Sequence, residues 1–304
     1  MTGPPPATAA TRLAVRRSLV GVEDVTAAVS GGADSLALAA ALAFERPGAG
    51  AVVVDHGLQP GSDEIAAKAA AQCTDLGLDA RVLSFPQHPG AVETGAVETG
   101  AVETGNVEAR ARAFRYQLLD TVAGTVLLGH TRDDQAETVL LGLLRGSGAR
   151  ALSGMARVRG RYRRPFLDLD RATVRQACLE AGLTPWEDPH NADDRFARPR
   201  IRRLLEEPPA EGLARSARLL REDADALDAL AAPLSDVPAL LALPAALRSR
   251  SLKLWAEQQC GAAVTSVHVE ALRALVEDWH GQGPVALPGG GRVKRIDGRL
   301  AFTP

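Results

Sequence analysis

Between Val25 and about residue 145, short continuous apolar runs alternate with longer amphipathic stretches. The runs are Val25–Val29, Ala51–Val54, Ala80–Ser84 and Thr125–Leu128, and helical patterns fall at about 35–44, 63–76, 106–121 and 133–144. A strand covered on both faces by crossover helices has no polar side to show, so it reads as an unbroken apolar run. The order therefore predicts strand–helix units around a parallel sheet, an α/β fold. In open sheets of this kind ligands meet the chain beyond the carboxyl ends of the strands. Residues just after each run are the first candidates for chemistry.

At 304 residues the chain is long enough for two domains. Pro208-Pro209 reads as a linker. Beyond it come Ala/Leu-rich helical patterns at about 211–231, 238–259 and 265–279, then short strands at 284–287, 292–296 and 300–302. The expected organisation is a flexible tail over 1–20, an α/β domain over 21–207 and a smaller helical domain over 208–304 that ends in short strands. The tail is read from its Pro-rich start, Met1-Thr2-Gly3-Pro4-Pro5-Pro6, which lacks the basic-then-apolar order of a signal peptide. Gly90-Ala91-Val92-Glu93-Thr94 recurs at Gly95 and Gly100, just before the similar Gly105–Ala109, and is expected to be a loop over 86–105 expanded by tandem duplication.

The net charge of -2 signals no nucleic-acid partner by itself, but local fields govern such binding. Residues 145–203 hold fourteen arginines against seven acidic residues, a local excess of seven positive charges. The chain has only three lysines, Lys68, Lys253 and Lys294. Cys73, Cys178 and Cys260 are scattered, with no CxxC pair, so neither a disulfide framework nor a zinc site is expected, and a reducing cytoplasm fits. No apolar run is long enough to cross a membrane.

Ser30-Gly31-Gly32-Ala33-Asp34-Ser35 follows the first strand and opens a helix. Two glycines let backbone approach a phosphate, and amides at a helix N-terminus favour an anion. Ser30 and Ser35 add hydroxyl donors, while Asp34 suits phosphate only through a shared Mg²⁺. The loop is neither a Walker A motif nor GxGxxG. Alternatively it is an ordinary strand-to-helix turn with a serine cap. SGGxDS at this position resembles the signature of the PP-loop ATP pyrophosphatases.

Further stretches resemble the tRNA(Ile)-lysidine synthases, in order. Val54-Asp55-His56-Gly57-Leu58 matches an (H/D)HGL element at the second strand's end, placed to meet base or ribose. Asn106–Tyr116 is similar to an NxEaxARxxRY helix, on which Arg112, Arg115 and Tyr116 share a face. Gly129-His130-Thr131-Arg132-Asp133-Asp134-Gln135-Ala136-Glu137-Thr138, continuing to Arg145-Gly146-Ser147-Gly148, resembles the (A/G)HxxDDqaET…LLRGSG block. Carboxylates on a first helical turn can simply cap it, or can hold Mg²⁺ or grip an amino acid's ammonium group. Arg164-Pro165-Phe166-Leu167 and Trp186–Asn191 resemble RPLL and wxxDxsN elements. Arg198-Pro199-Arg200-Ile201-Arg202 stands where an RNxIR run is usual, with Pro199 replacing asparagine.

The resemblance implies an ATP-dependent ligase that adenylates the carbon-2 oxygen of a wobble cytidine in isoleucine tRNA and then joins free L-lysine to that carbon. It implies ATP binding by Ser30–Ser35 with Asp55 and His56, and Mg²⁺ on Asp34 and Asp133. His130, Asp133, Asp134 and Glu137 are expected to serve lysine, metal or proton transfer. Arg112, Arg115 and Arg145 would steady phosphates or the developing negative charge, and Arg164, Arg198 and Arg202 would meet the tRNA. Longer members carry a further C-terminal domain, so here its tRNA contacts are expected from the helical region or from the second subunit of a homodimer. Two other readings remain open at this stage: a tRNA-thiolating relative, which normally relies on paired cysteines, and a binding module without chemistry.

Overall fold

A computed structural model describes residues 3–55, 57, 61–84, 104–187, 201, 205 and 210–304, with only the backbone over 104–111. His56, the GAVET repeat at 90–103, Arg198 and Arg202 lie outside those residues. The chain divides into two compact units, Met1–Arg218 and Leu219–Pro304.

In the first unit the four apolar runs form β1 (Val25–Val29), β2 (Gly50–Asp55), β3 (Asp79–Ser84) and β4 (Thr125–Leu128). The intervening helices are α2 (Ala33–Glu45), α3 (Ser62–Asp75) and α4 (Thr104–Asp120), and α5 (Arg132–Leu144) and the short α6 (Ala149–Leu152) follow β4. Two short strands, β5 (Val158–Arg159) and β6 (Tyr162–Arg163), complete a six-stranded sheet in the order β3-β2-β1-β4-β6-β5. All pairings are parallel except β5 with β6. One core joins Ala27 and Val29 to Leu36, Leu38 and Leu42 of α2 and to Phe166. A second cluster, of Val52, Leu119, Val126, Leu128 and Tyr162, lies under α4. Apolar packing on both faces explains the unbroken apolar runs.

The expected flexible tail is corrected over most of its length. Residues Pro6–Ser18 form a helix, α1, that packs against α2 and α7 (Arg171–Glu180). Proline suits a first helical position because its missing N–H would have no partner there. Ala7, Thr11 and Val15 are buried, so this Ala/Thr-rich segment carries a real apolar stripe despite its tail-like composition. Glu180 of α7 accepts hydrogen bonds from the Thr8 backbone N–H at 2.9 Å and its hydroxyl at 2.7 Å, tying down the first turn.

The division between the two compact units falls inside helix α8 (Ala210–Leu230). The second unit continues with α9 (Val237–Ala242), α10 (Ala245–Cys260) and α11 (Ser266–Glu277). The single helix expected over 238–259 is broken because Leu243, preceding Pro244, is forced to an extended conformation (φ -78°, ψ 147°). Strands β7 (Val285–Ala286), β8 (Arg292–Ile296) and β9 (Arg299–Thr303) pair antiparallel, with Leu252, Leu272, Leu275, Val293 and Leu300 in the core.

If α1 belongs to the fold, Val15→Ala removes two buried methyl groups and costs about 1.6 kcal/mol, at about 0.8 per group. Urea denaturation measures this, and an unchanged midpoint would return residues 1–20 to the status of a tail.

Candidate active site

Chain order reverses between β1 and β4: β2 and β3 build outward on one side of β1, and β4 lies on the other. The parallel register pairs Ala28 with Leu128, so the loop after β1 and the loop after β4 leave the sheet side by side. Such a reversal point is where open α/β sheets bind ligands. Two segments about a hundred residues apart, Ser30–Ser35 and Gly129–Glu137, are thus brought together by one strand pairing.

The first loop is internally braced. Gly31 adopts φ 84°, a region that disfavours side chains. The Ser35 hydroxyl donates to the Gly32 carbonyl at 2.9 Å and accepts from the Ser30 N–H at 3.1 Å. The Ser30 and Ser35 hydroxyl oxygens lie 3.2 Å apart. Behind the loop, the Trp186 N–H donates to the Gly31 carbonyl at 2.9 Å. Gly129 touches the loop from β4: a Cβ there would stand 2.9 Å from the Asp34 carbonyl oxygen and 3.3 Å from the Ser35 Cα. Glycine is required by this contact.

The second segment starts with a fully buried Thr131 that caps α5 reciprocally with Asp134. The Thr131 N–H donates to the Asp134 carboxylate at 2.7 Å. Asp133 instead caps α7, accepting the Arg171 N–H at 2.7 Å. The Arg171 guanidinium then gathers the remaining acids: its Nη2 lies 2.8 Å from Asp134 and 3.0 Å from Glu137, and its Nε 3.9 Å from Asp34. Glu137 is only 1% exposed. Burial would raise the Asp134 pKa, but Arg171, the Thr131 N–H and His130 outweigh it and hold the carboxyl below its usual range. Burial likewise opposes the charge on Arg171, yet Asp134, Glu137 and Asp34 keep its pKa above the ordinary value. Among the described residues no three His, Cys, Asp or Glu side chains gather as a metal cage.

Comparison with known proteins gives the family. A family profile described as PP-loop domain matches residues 8–207, and one described as TilS substrate binding domain matches residues 236–301. A tRNA(Ile)-lysidine synthase of Thermobifida fusca (strain YX) is 47% identical, over 100% of this chain and 99% of the relative. One of Streptomyces coelicolor (strain ATCC BAA-471 / A3(2) / M145) is 45% identical over 99% of both. The chain belongs to the tRNA(Ile)-lysidine synthase family. One of Nocardia farcinica (strain IFM 10152) is 48% identical over 88% of this chain and 86% of its own length. Among solved structures, the U34-tRNA thiolase NcsA from Methanococcus maripaludis, with its iron–sulfur cluster, aligns with TM-score 0.54 at 19% identity. That alignment covers 71% of this chain and 79% of the thiolase, a likeness of fold.

The family's other motif residues are dispersed. Asp55 ends β2 and accepts the Gly57 N–H at 3.0 Å. Arg112 and Arg115 are exposed on α4, and Arg112 lies 5.3 Å from the Tyr116 ring. Arg145 is exposed at the end of α5. Arg164, expected at the tRNA, is 4% exposed and donates to the Ala156 carbonyl at 2.8 Å. With so little surface, it is corrected to a structural arginine. Several neighbours in the arginine-rich stretch are also engaged: Arg161 holds the Val122 carbonyl, Arg163 that of Ser18, and Arg157 pairs with Asp168. Arg171 carried no expected role, although the Asp170-Arg171 sequence before a helical pattern marks a cap followed by a first turn. Cys73 and Cys178 are fully buried, and burial pushes both thiols up to about 11, so neither is a thiolate near neutral pH.

Two consequences are measurable. Gly129→Ala is expected to cost about 1–3 kcal/mol by overpacking and to weaken ATP binding by displacing Asp34. Unchanged nucleotide binding would mean that the contact is not needed there. Because the folded Asp134 pKa lies below the unfolded one, its contribution is present above the usual carboxylate range and is lost as pH falls through the lowered value. Asp134→Asn should cost about 1–3 kcal/mol near neutrality and flatten the acid limb of stability, measured by urea melts at several pH values. An unaltered acid limb would assign that limb to other carboxylates.

Proposed function

We propose that this chain converts the wobble cytidine of isoleucine tRNA to lysidine, using ATP and free L-lysine. The observation that carries the reading is the β1–β4 pairing, which sets the Ser30–Ser35 loop beside the His130–Glu137 segment in a chain of this family. In the first step the cytidine carbon-2 oxygen attacks the α-phosphorus, forming the O–P bond as pyrophosphate leaves. In the second the lysine ε-amine attacks carbon 2, and the C–O bond breaks as AMP departs. Such chemistry needs positioned partners and charge stabilisation, with no covalent enzyme nucleophile.

The first-turn amides of α2, with Ser30 and Ser35, are the proposed pyrophosphate cradle. Asp34, at the second position of α2 with an incompletely buried carboxylate, has the hard oxygens that Mg²⁺ takes alongside substrate phosphates. Asp133 caps α7, which weakens its expected part as a second metal ligand. When bound, Mg²⁺ would offset charge on the leaving pyrophosphate. The amine must shed a proton before it attacks, since lysine is protonated near neutrality. Asp133 and Asp134 are committed to helix caps, so we assign that proton to His130, half-buried at the end of β4. Asp55 and His56 are assigned to the nucleoside, and the exposed Arg112, Arg115 and Arg145, with Arg198 and Arg202, to the tRNA backbone, where cations supply most of the affinity. Three free cysteines suit a reducing compartment such as the cytoplasm, and no described helix is long and apolar enough to cross a membrane.

The test is pyrophosphate release from ATP and Mg²⁺ with isoleucine tRNA bearing a wobble cytidine, with and without lysine. Release that requires this tRNA, with lysine joined to the RNA, is the expected result. Release with a different acceptor would discard lysidine formation, and none with any acceptor would leave a binding module.

A further inference from the structure

Arg171 is the member of the site that neither the phosphate cradle nor the proton transfer accounts for. Its position is fixed from two sides. Asp170 caps α7 by accepting the Thr173 N–H at 2.7 Å, and Asp133 accepts the Arg171 N–H at 2.7 Å. Its Nη2 is shared by Asp134 and Glu137, so the plane of the guanidinium is set and its Nε edge is directed toward Asp34, 3.9 Å away. The Arg171 side chain stays partly exposed, at 30%, as does that of Asp34, at 28%.

Consider Asp34 without this cation. It occupies the first turn of α2, the end of a helix at which main-chain N–H groups attract a nearby anion. A carboxylate there can fold back on those amides and occupy the place of a phosphate. Asp134 and Glu137, without the guanidinium they share, would also repel it toward the loop. We propose that Arg171 is a positioning residue for the ATP half of the reaction: it draws the Asp34 carboxylate away from the loop amides and so keeps the phosphate cradle open. The inference rests on the proposed function only in taking ATP as the ligand. Arginine suits the task because one planar fork can serve the acids of α5 with one nitrogen while another faces Asp34.

The experiment measures equilibrium dialysis of labelled ATP against the full chain in EDTA, without tRNA or lysine, so it does not depend on which acceptor the enzyme modifies. Arg171→Met is expected to weaken ATP binding about tenfold, the scale of one anion competing at a helix N-terminus. Adding Asp34→Asn to Arg171→Met should restore most of that loss, because an amide carries no charge to compete with phosphate. Arg171→Lys, which keeps the charge but not the fork, should fall between wild type and Arg171→Met. Thermal unfolding reports the folded fraction of each variant. Should Arg171→Met not fold, the comparison of Arg171→Lys with Arg171→Lys/Asp34→Asn carries the test.

In steady-state pyrophosphate release, the KM for ATP should rise while those for lysine and tRNA stay within about twofold, since the effect is confined to the anion site. Loss of ATP binding that Asp34→Asn fails to restore would overturn the proposal and make Arg171 a direct phosphate ligand. A raised KM for lysine with unchanged ATP binding would also overturn it. So would a uniform loss matching the folded fraction. Absent pyrophosphate release in the wild type would strike the lysidine reading while leaving the ATP-binding comparison intact.

Discussion

The pairing of β1 with β4 is the constraint from which the site follows. Each strand alone ends in a loop of modest information: a serine-glycine turn in one case, a histidine and a run of acids in the other. Joined in parallel register, with Ala28 opposite Leu128, they present both loops at one edge of the sheet. The closeness of the two is enforced by Gly129, whose missing side chain lets the second loop rest on the Asp34 backbone. The geometry of the candidate site is thereby inherited from a two-sided core, with little left to the loops themselves.

The acid-rich turn gains a different meaning once its partners are known. Four carboxylates near a nucleotide site invite a metal-cage reading, yet two of them spend their hydrogen-bonding capacity on helix ends. Asp134 closes the cap of its own helix and Asp133 that of the next. Glu137 is buried against Arg171. A buried pair of this sort adds little net stability over apolar packing, but loss of either partner is severe because the other charge is stranded. The arrangement therefore serves order more than stability. It locks the starts of α5 and α7 to each other, with Asp34 the most exposed of the three acids around the Arg171 guanidinium.

Much of this fold was legible because local rules and burial agreed. The four long strands appear as apolar runs since both faces of the sheet are covered, and the strand-to-helix loops follow from the same pattern. Strand order was not legible: β1 meets β4 only after about a hundred intervening residues, and nothing local records such a partner. The α1 helix was missed for a related reason. Its stripe of Ala7, Thr11 and Val15 is weakly apolar and makes sense only against α2 and α7. Site residues contained in motifs were recognisable by type, but their division of labour was not. Charge counting over 145–203 suggested an RNA-facing surface, whereas Arg161, Arg163 and Arg164 turn out to satisfy backbone carbonyls. The role of Arg171 needed three dimensions, because its acids come from two separate helices.

The hydrogen bond from Trp186 to Gly31 has an orientational consequence. A trans peptide unit is planar, and its C=O and N–H point in opposite directions. Holding the Gly31 carbonyl toward Trp186 therefore aims the Gly32 N–H away from it. Glycine pairs are otherwise free to rotate such a unit by half a turn, which would replace a donor with an acceptor. The tryptophan main chain removes that freedom, so the polarity of the loop is dictated by a residue that no substrate needs to touch.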